Sequence, residues 1–212
     1  MEIIDLNKWE RTAHFNFFRQ MDYPQYSICA NIDITNFLKK IKENHITFYY
    51  GMIFAATNAL NQIDEFKYRI RGNEVILHST IHPSFTDLMD GCELFKIVNV
   101  DMENNIGIFT EKAKEKAVSQ KDFIVTEEEV RDDLVYITCI PWVAFTSLTH
   151  PISLKSDDAV PRLSWGKYFE EKGRILMPFS VQAHHAFVDG IHMGRYFEVL
   201  QKYLDSLSSF SY

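Results

Sequence analysis

Alternation of apolar and polar residues marks the strands of this chain. From residue 26 to residue 34 every second side chain is apolar and the intervening ones are small or polar, which predicts a strand with one buried face. Residues 66–70 alternate in the same way, and Gly72-Asn73 separates them from a short apolar run, so a hairpin is predicted there. Pro141 interrupts an apolar segment and predicts a bulge or an edge position. The other predicted strands are residues 94–100, 134–145, 164–169 and 174–182.

Apolar residues at helical spacing, together with one polar run, predict four helices. Thr35 is a candidate N-cap for the first helix, and the second is apolar nearly all round, which predicts a helix buried on every side. The third is rich in lysine and glutamate and is predicted to be solvated. In the last, after Gly190, apolar residues step by four and three, which predicts an amphipathic helix. The four segments are residues 35–41, 48–62, 103–120 and 190–207.

Strands and helices follow one another irregularly along the chain. A strict βαβ repeat would predict a doubly wound parallel sheet, and this order lacks it, so the predicted fold class is α/β, a two-layer sandwich with a mixed β-sheet. No internal repeat is visible, and the loosest stretch, residues 155–161, is too short for an interdomain linker. We therefore expect one domain over residues 1–212.

Composition narrows the function classes. The 212 residues are 46% hydrophobic and 24% charged, which is typical of globular chains and not of disordered ones. A chain with a net charge of −7 lacks the excess of basic residues that is typical of a nucleic-acid binder. It also suits an anionic membrane surface poorly. Neither a signal-peptide h-region nor an apolar run of about 20 residues occurs. The chain has three widely spaced cysteines, Cys29, Cys92 and Cys139. Their spacing predicts reduced thiols in a cytoplasmic protein, and indicates neither a disulfide framework nor a zinc ribbon.

The segment with the clearest chemistry is residues 181–190, where a predicted strand runs into two adjacent histidines. His184 and His185 point to opposite faces of a strand, so only one can face a given cavity. A neutral imidazole there is a good general base, because its pKa lies near neutral pH. A structural histidine followed by an ordinary Asp-Gly turn is the first alternative. A metal site that adds Asp189 and His192 is the second, but the histidines diverge and no other cluster completes the ligand set.

The motif His-His-x-x-x-Asp-Gly in this setting resembles that of the chloramphenicol acetyltransferases, which are related to the acyltransferase domains of 2-oxoacid dehydrogenase complexes. Further segments that resemble the family run collinearly along nearly the whole chain. They are Trp9-x-Arg11-x-x-His14-Phe15, Ile32-Asp33-Ile34-Thr35, residues 64–69, His82-Pro83-Ser84-Phe85-Thr86, Pro141-Trp142-Val143, Gly166-Lys167-Tyr168 and Leu176-Met177-Pro178.

The resemblance implies a homotrimer with active sites between subunits, acetyl-CoA as co-substrate without a permanently bound cofactor or metal, and a hydroxylated acceptor. His185 would be the general base that takes the proton of the acceptor hydroxyl as its oxygen attacks the thioester. Asp189 and Arg11 would form an ion pair that holds the shape of the site. Thr138 stands where the family has a serine, and its hydroxyl would stabilise the oxyanion.

The acceptor stays open at this point. His150 stands where the family has a leucine, so the acceptor is either chloramphenicol, with antibiotic resistance as the consequence, or another hydroxylated small molecule. A catalytically silent protein that keeps the fold and sequesters a ligand is the alternative from a different class. The residues that the resemblance implies in binding are Phe18, Phe95, Thr86, His150 and Ser164 for the acceptor, and Trp142, Lys167 and Tyr168 for the coenzyme.

Overall fold

The computed structural model describes residues 1–89, 91, 93–128, 130–153 and 157–206. Three of the sequence predictions concern residues outside these ranges: the thiol of Cys92, Leu207 in the last helix, and the first two residues of the loose stretch 155–161. The strands are β1 (Glu2–Ile3), β2 (Gln25–Asp33), β3 (Tyr68–Arg71), β4 (Glu74–Leu77), β5 (His82–Leu88), β6 (Phe95–Asn99), β7 (Leu134–Ile140), β8 (Arg162–Gly166), β9 (Phe169–Glu171) and β10 (Arg174–His184). The helices are α1 (Thr12–Phe18), α2 (Thr35–Glu43), α3 (Phe48–Leu60), α4 (Ile106–Ser119) and α5 (Gly190–Ser206).

The main sheet is mixed, as the irregular element order predicts. Its strands lie in the order β2-β10-β8-β7-β5-β6, and β9 pairs with the start of β10. Strand β7 runs parallel to both of its neighbours, β5 and β8, and the other pairs are antiparallel. A smaller sheet has the order β1-β4-β3 and contains the predicted hairpin. The predicted α/β class with a mixed sheet is therefore confirmed.

The core forms between one face of the main sheet and the helices. Because side chains alternate along a strand, Leu163, Trp165, Phe179 and Val181 share one face, and all four are fully buried. Helix α3 packs against β5, α4 and α5, so it is buried on nearly every side, as its apolar sequence predicts. The opposite face of the same two strands carries serine, glutamine and arginine side chains, and Thr138 of the adjacent β7 lies beside them.

Two predictions at the ends of elements are wrong. Thr35 does not cap α2: it is the first helical residue, and the Asp33 carboxylate accepts hydrogen bonds from its backbone N–H (3.0 Å) and its hydroxyl (2.6 Å). Pro141 marks neither a bulge nor an edge, because it follows the last residue of β7, a strand with neighbours on both sides. A proline lacks the N–H that an interior strand must donate, so the strand ends before it.

Helix α4 is half-buried, although its charged composition predicts a solvated helix. Phe109, Ala113 and Ala117 are fully buried and recur every four residues, so they form one stripe along the helix. The helix begins after Asn105, whose side chain accepts a hydrogen bond from the backbone N–H of Ile108 (3.1 Å). The lysine and glutamate residues lie on the other faces of the helix, outside this buried stripe.

Gly166 marks a close approach between β8 and the segment that follows β7. The backbone N–H of Lys167 donates to the carbonyl of Val143 (2.9 Å), which brings the two segments together. A Cβ atom at residue 166 would lie 2.5 Å from that carbonyl oxygen and 2.9 Å from the ring of Phe145. The absence of a side chain at Gly166 therefore allows the segment after β7 to lie over the end of β8.

We expect the Gly166→Ala variant to lose about 1–3 kcal/mol of unfolding free energy, because the added methyl group meets backbone atoms. Gly194→Ala is the matched control: Gly194 lies in α5, and open space surrounds the position that a Cβ atom would take there, so alanine should stabilise the fold by about 0.5–1 kcal/mol. Urea denaturation of both variants measures the difference. Equal stability of the two variants would contradict the close approach.

Candidate active site

The two adjacent histidines lie at the end of β10, where their burial and their contacts differ. His184 is buried, its Nδ1 accepts a hydrogen bond from the backbone N–H of Ala186 (3.1 Å), and burial lowers its pKa to about 4. The His185 side chain is 35% exposed. Its ring stacks on Phe18 with centroids 4.1 Å apart and an interplanar angle of 3°, and the ring of Tyr26 lies 4.5 Å away.

Arg11 holds the turn between β10 and α5 through four hydrogen bonds. Two of its nitrogens donate to the carboxylate oxygens of Asp189, at 2.6 and 2.7 Å. Its Nε donates to the carbonyl of Ala186 (2.7 Å), and Nη2 also donates to the carbonyl of His185 (3.2 Å). The hydrogen bond from Arg11 lowers the pKa of the Asp189 carboxyl, so this group is ionised at neutral pH.

The Asp189 carboxylate also lies beside the catalytic candidate His185. Its Oδ1 is 3.3 Å from Nδ1 of the imidazole, but the direction of approach does not form a hydrogen bond. The short bonds of the carboxylate all go to Arg11. Nδ1 is itself buried, while the His185 side chain is 35% exposed, so among the described residues Nε2 is the ring nitrogen that a substrate can reach.

A second group of predicted residues lines a groove of about 1060 Å³. Thr86 comes from β5, Phe95 from β6 and Thr138 from β7, and the groove also reaches the segments after β7 and β8. The lining is mainly apolar and aromatic, which suits a small organic ligand. The remaining predicted residues in its wall are Trp142, His150, Lys167 and Tyr168.

His150 is held in the groove wall by polar contacts. Its Nε2 lies 2.7 Å from the hydroxyl oxygen of Ser164, and its backbone N–H donates to the side-chain oxygen of Gln182 (3.0 Å). Burial lowers its pKa to about 4, so the imidazole is neutral at neutral pH. Ser164 is fully buried behind His150 and does not line the groove itself.

Several groove residues are missed by sequence reasoning because they belong to elements predicted as core. Tyr49 lies on the buried helix α3, and its hydroxyl donates to the carbonyl of Thr86. Trp165 and Cys139 are interior strand residues, and burial raises the pKa of the Cys139 thiol to about 11. Helical periodicity cannot show that the first turn of a buried helix borders a cavity. Asp87 and Glu93 add two carboxylates to the groove.

Within one chain, the two groups of predicted residues are far apart. Thr138 pairs with Ser164, Ser164 pairs with Ser180, and His185 follows five residues later on β10 and beyond it. The Cα atoms of Thr138 and His185 are therefore two strand spacings apart across the sheet and five residues apart along a strand. These two separations combine to a distance of about 19 Å. One chain therefore does not bring the imidazole to the groove. Across the described residues, no group of three or more His, Cys, Asp and Glu side chains could hold a metal ion, and no helix has the length and hydropathy that a membrane crossing requires.

Comparison with known proteins gives one consistent result. The family model described as chloramphenicol acetyltransferase matches residues 1–201. A chloramphenicol acetyltransferase of Klebsiella sp is 27% identical over 203 residues, covering 95% of this chain and 93% of the relative. Chloramphenicol acetyltransferase 2 of Escherichia coli is 31% identical over 208 residues, covering 96% and 97%. A solved chloramphenicol acetyltransferase structure superposes with a TM-score of 0.89 at 29% identity, covering 96% of this chain and 99% of that one.

We expect Arg11 and Asp189 to be energetically coupled. Arg11→Ala and Asp189→Asn should each cost about 1–3 kcal/mol of unfolding free energy, because each leaves a partly buried partner unpaired. The double variant should cost less than the sum of the two. Strict additivity in urea denaturation at pH 7 would show that the pair does not interact.

The pH dependence of the same pair has a defined sign. Because the folded-state pKa of Asp189 is lowered, its contribution is present above the unfolded pKa of about 3.9 and is lost as the pH falls through the folded value. The stability difference between wild type and Asp189→Asn should therefore be constant near pH 7 and shrink below about pH 4. A difference that grows in acid would contradict this assignment.

Proposed function

We propose a function from one established premise: this chain belongs to the chloramphenicol acetyltransferase family. The family resemblance drawn from the sequence motifs is thus confirmed, and the chain is an acyltransferase, which sets aside the silent binding protein. We assign to it the transfer of the acetyl group of acetyl-CoA to a hydroxyl of chloramphenicol. The observation that carries this assignment is the match of the family model over residues 1–201, with an intact His185 motif.

His185 is the general base of the proposed reaction. A hydroxyl is a poor nucleophile at neutral pH, so Nε2 takes its proton while the oxygen attacks the carbonyl carbon of the thioester. The tetrahedral oxyanion then collapses, the carbon–sulfur bond breaks, and the coenzyme thiolate takes the proton from the imidazolium. Ring stacking on Phe18 and the burial of Nδ1 beside Asp189 support this role, because they leave Nε2 as the ring nitrogen that a substrate can reach.

Thr138 is the proposed donor to the oxyanion. Its hydroxyl lies on β7 in the wall of the groove, where a thioester carbonyl could approach it. A hydrogen bond to that oxygen is stronger in the transition state than in the substrate, so it accelerates the reaction. Trp142 and Tyr168, 69% and 48% exposed, offer aromatic surfaces for the coenzyme, and Lys167 beside them offers a charge for its phosphates.

The site is proposed to form between the subunits of a homotrimer. His185 does not line the groove of its own chain, and its Cα atom lies about 19 Å from that of Thr138. A neighbouring copy in a cyclic assembly can supply the imidazole, and each copy then gives its own to the next. Phe18, which stacks on His185, would enter the neighbour's groove with it and face Thr86 and Phe95 across the acceptor. Because acetyl-CoA is a cytoplasmic metabolite, we place the enzyme in the cytoplasm. Acetylation of chloramphenicol there would give the enzyme a role in antibiotic resistance.

A second candidate function is acetyl transfer to a hydroxylated molecule other than chloramphenicol. The observation that favours it is His150, a neutral imidazole in a mainly apolar groove, fixed by Ser164 through Nε2. With Nε2 paired to Ser164, Nδ1 of the imidazole is left to bond the acceptor, where the family presents an apolar leucine side chain. An acceptor with a hydrogen-bonding group at that point would gain a contact, because a buried polar group favours a paired state.

His185→Ala should reduce turnover by at least about 10²-fold, the low end of what a general base contributes. Release of the coenzyme thiol, with chloramphenicol as acceptor, is the measurement. His184→Asn is the matched control, because asparagine can still accept the Ala186 N–H two residues on and should keep turnover within about twofold. A folded His185→Ala protein with wild-type turnover would exclude the mechanism.

A mixing experiment tests the shared site. Thr138→Val should lower turnover about 10²–10³-fold, while Thr138→Ser should keep most of it. His185→Ala and Thr138→Val chains, unfolded and refolded together in equal amounts, should recover about a quarter of wild-type turnover, because one site in four then combines two intact halves. No recovery, or full activity in a species that sediments as a monomer, would contradict the trimer.

His150→Leu distinguishes the two acceptors. If the natural acceptor is another molecule, the variant should bind chloramphenicol several-fold more tightly than wild type, since an apolar side chain replaces a polar one that chloramphenicol leaves unpaired. The KM for chloramphenicol is the measurement, and His150→Gln, which keeps a polar group, is the control. A wild-type KM as low as that of His150→Leu would remove the support for the second candidate.

A further inference from the structure

Helix α5 begins at Gly190 in an unusual way. The residue before a helix, here Asp189, commonly caps it with a side-chain oxygen that accepts a backbone N–H from the first turn. In this chain both carboxylate oxygens of Asp189 accept hydrogen bonds from Arg11 instead. The carboxylate therefore does not cap the helix, and a contact besides those of Arg11 holds the backbone of Asp189 at the helix start.

His192 provides that contact. It is the third residue of α5, and its Nδ1 accepts a hydrogen bond from the backbone N–H of Asp189 (2.9 Å). Glutamate or glutamine at this helix position often makes the same return contact to the residue before the helix. Here an imidazole makes it, and the backbone of Asp189 is fixed while its carboxylate remains available to Arg11.

Glu65 sets the state of the His192 ring. Nε2 of His192 lies 3.3 Å from the Glu65 carboxylate, and the two side chains are 11% and 27% exposed. The carboxylate favours the tautomer with hydrogen on Nε2, which leaves Nδ1 as an acceptor. Arg11, Asp189 and Arg195 are the other charged groups that act on the ring. Burial is the largest influence and lowers the pKa of His192, so the ring is neutral at neutral pH.

The support for Glu65 comes from a distant part of the chain. Glu65 lies in the short 3₁₀ helix Asp64–Phe66, between α3 and β3. The next residue, Phe66, is fully buried and packs against Tyr196 of α5 with ring centroids 5.5 Å apart. The element that carries the carboxylate is thus packed directly against the helix that carries His192.

We propose that His192 and Glu65 are positioning residues for acetyl transfer: they fix the Asp189 backbone, so that its carboxylate meets Arg11 and the His185 ring in one orientation. This inference rests on the proposed function, because the effect of the two residues is on turnover. Neither residue touches the substrates. We assign their effect to the position of Asp189, whose backbone N–H donates to His192.

The test compares His192→Leu with His192→Gln by thiol release with chloramphenicol. Glutamine can accept the Asp189 N–H with its oxygen and donate to Glu65 with its nitrogen, so kcat should stay within about twofold of wild type. Leucine removes both contacts, so kcat should fall about tenfold or more with the KM for acetyl-CoA unchanged. Equal kcat values for the two variants would overturn the proposal.

An Asp189→Asn background separates positioning from general packing. In this background a neutral amide replaces the Asp189 carboxylate, so the orientation of a charged group toward Arg11 no longer matters. His192→Leu should therefore lower kcat by less than about twofold there. A full tenfold loss in that background would show that His192 acts through packing and would also overturn the proposal. If His192→Leu does not fold, the same comparison is made with Glu65→Leu and Glu65→Gln.

Amide hydrogen exchange gives a readout that does not need activity. The Asp189 amide should be protected in wild type and in His192→Gln, and should exchange at least about tenfold faster in His192→Leu. An unprotected Asp189 amide in wild type would overturn the positioning role. Lack of turnover in wild type with every acceptor would overturn the proposed function alone, and the positioning role would then be decided by the amide measurement.

Discussion

The arrangement around His185 depends on the pair between Arg11 and Asp189. The planar guanidinium of Arg11 bonds both oxygens of the carboxylate and two carbonyls of the turn, so it fixes the turn backbone and the acidic side chain together. Its partner lies 178 residues away in sequence, which means that the N-terminal segment is part of the site. A lysine could not reproduce this geometry, because it offers a point charge and no rigid fork.

Aromatic packing gives that pair its surroundings. Trp9 and Phe15, on either side of Arg11 in sequence, pack against Phe187 in the turn, with ring centroids 6.1 and 5.7 Å away. Phe187 and Phe15 are fully buried, so their packing joins the turn that carries Asp189 to the segment that carries Arg11. On the other side, Phe18 orients the His185 ring by stacking. The short helix α1 therefore begins directly after Arg11 and ends at Phe18, the residue that orients the base.

The geometry of the sheet explains why the residues of one proposed site occur as two groups. The base lies beyond one end of β10, while Thr138 lies toward the opposite end of the neighbouring strands, because β10 runs antiparallel to β8 and β7 runs parallel to β8. No side-chain rotation spans a distance of about 19 Å. The proposed trimer joins the groups, with the base and its support on one copy and the groove, Thr138 and His150 on the next.

Much of this protein follows from its sequence alone. The alternation from residue 26 and the apolar run of α3 predict these elements nearly to their ends, because local periodicity reflects burial of one or all faces. The motif around His185 indicates the family and the candidate base. The sequence could not show that Ser164 lies behind His150 or that Glu65 faces His192. Both contacts join residues from different segments of the chain, and only tertiary packing decides which of them meet.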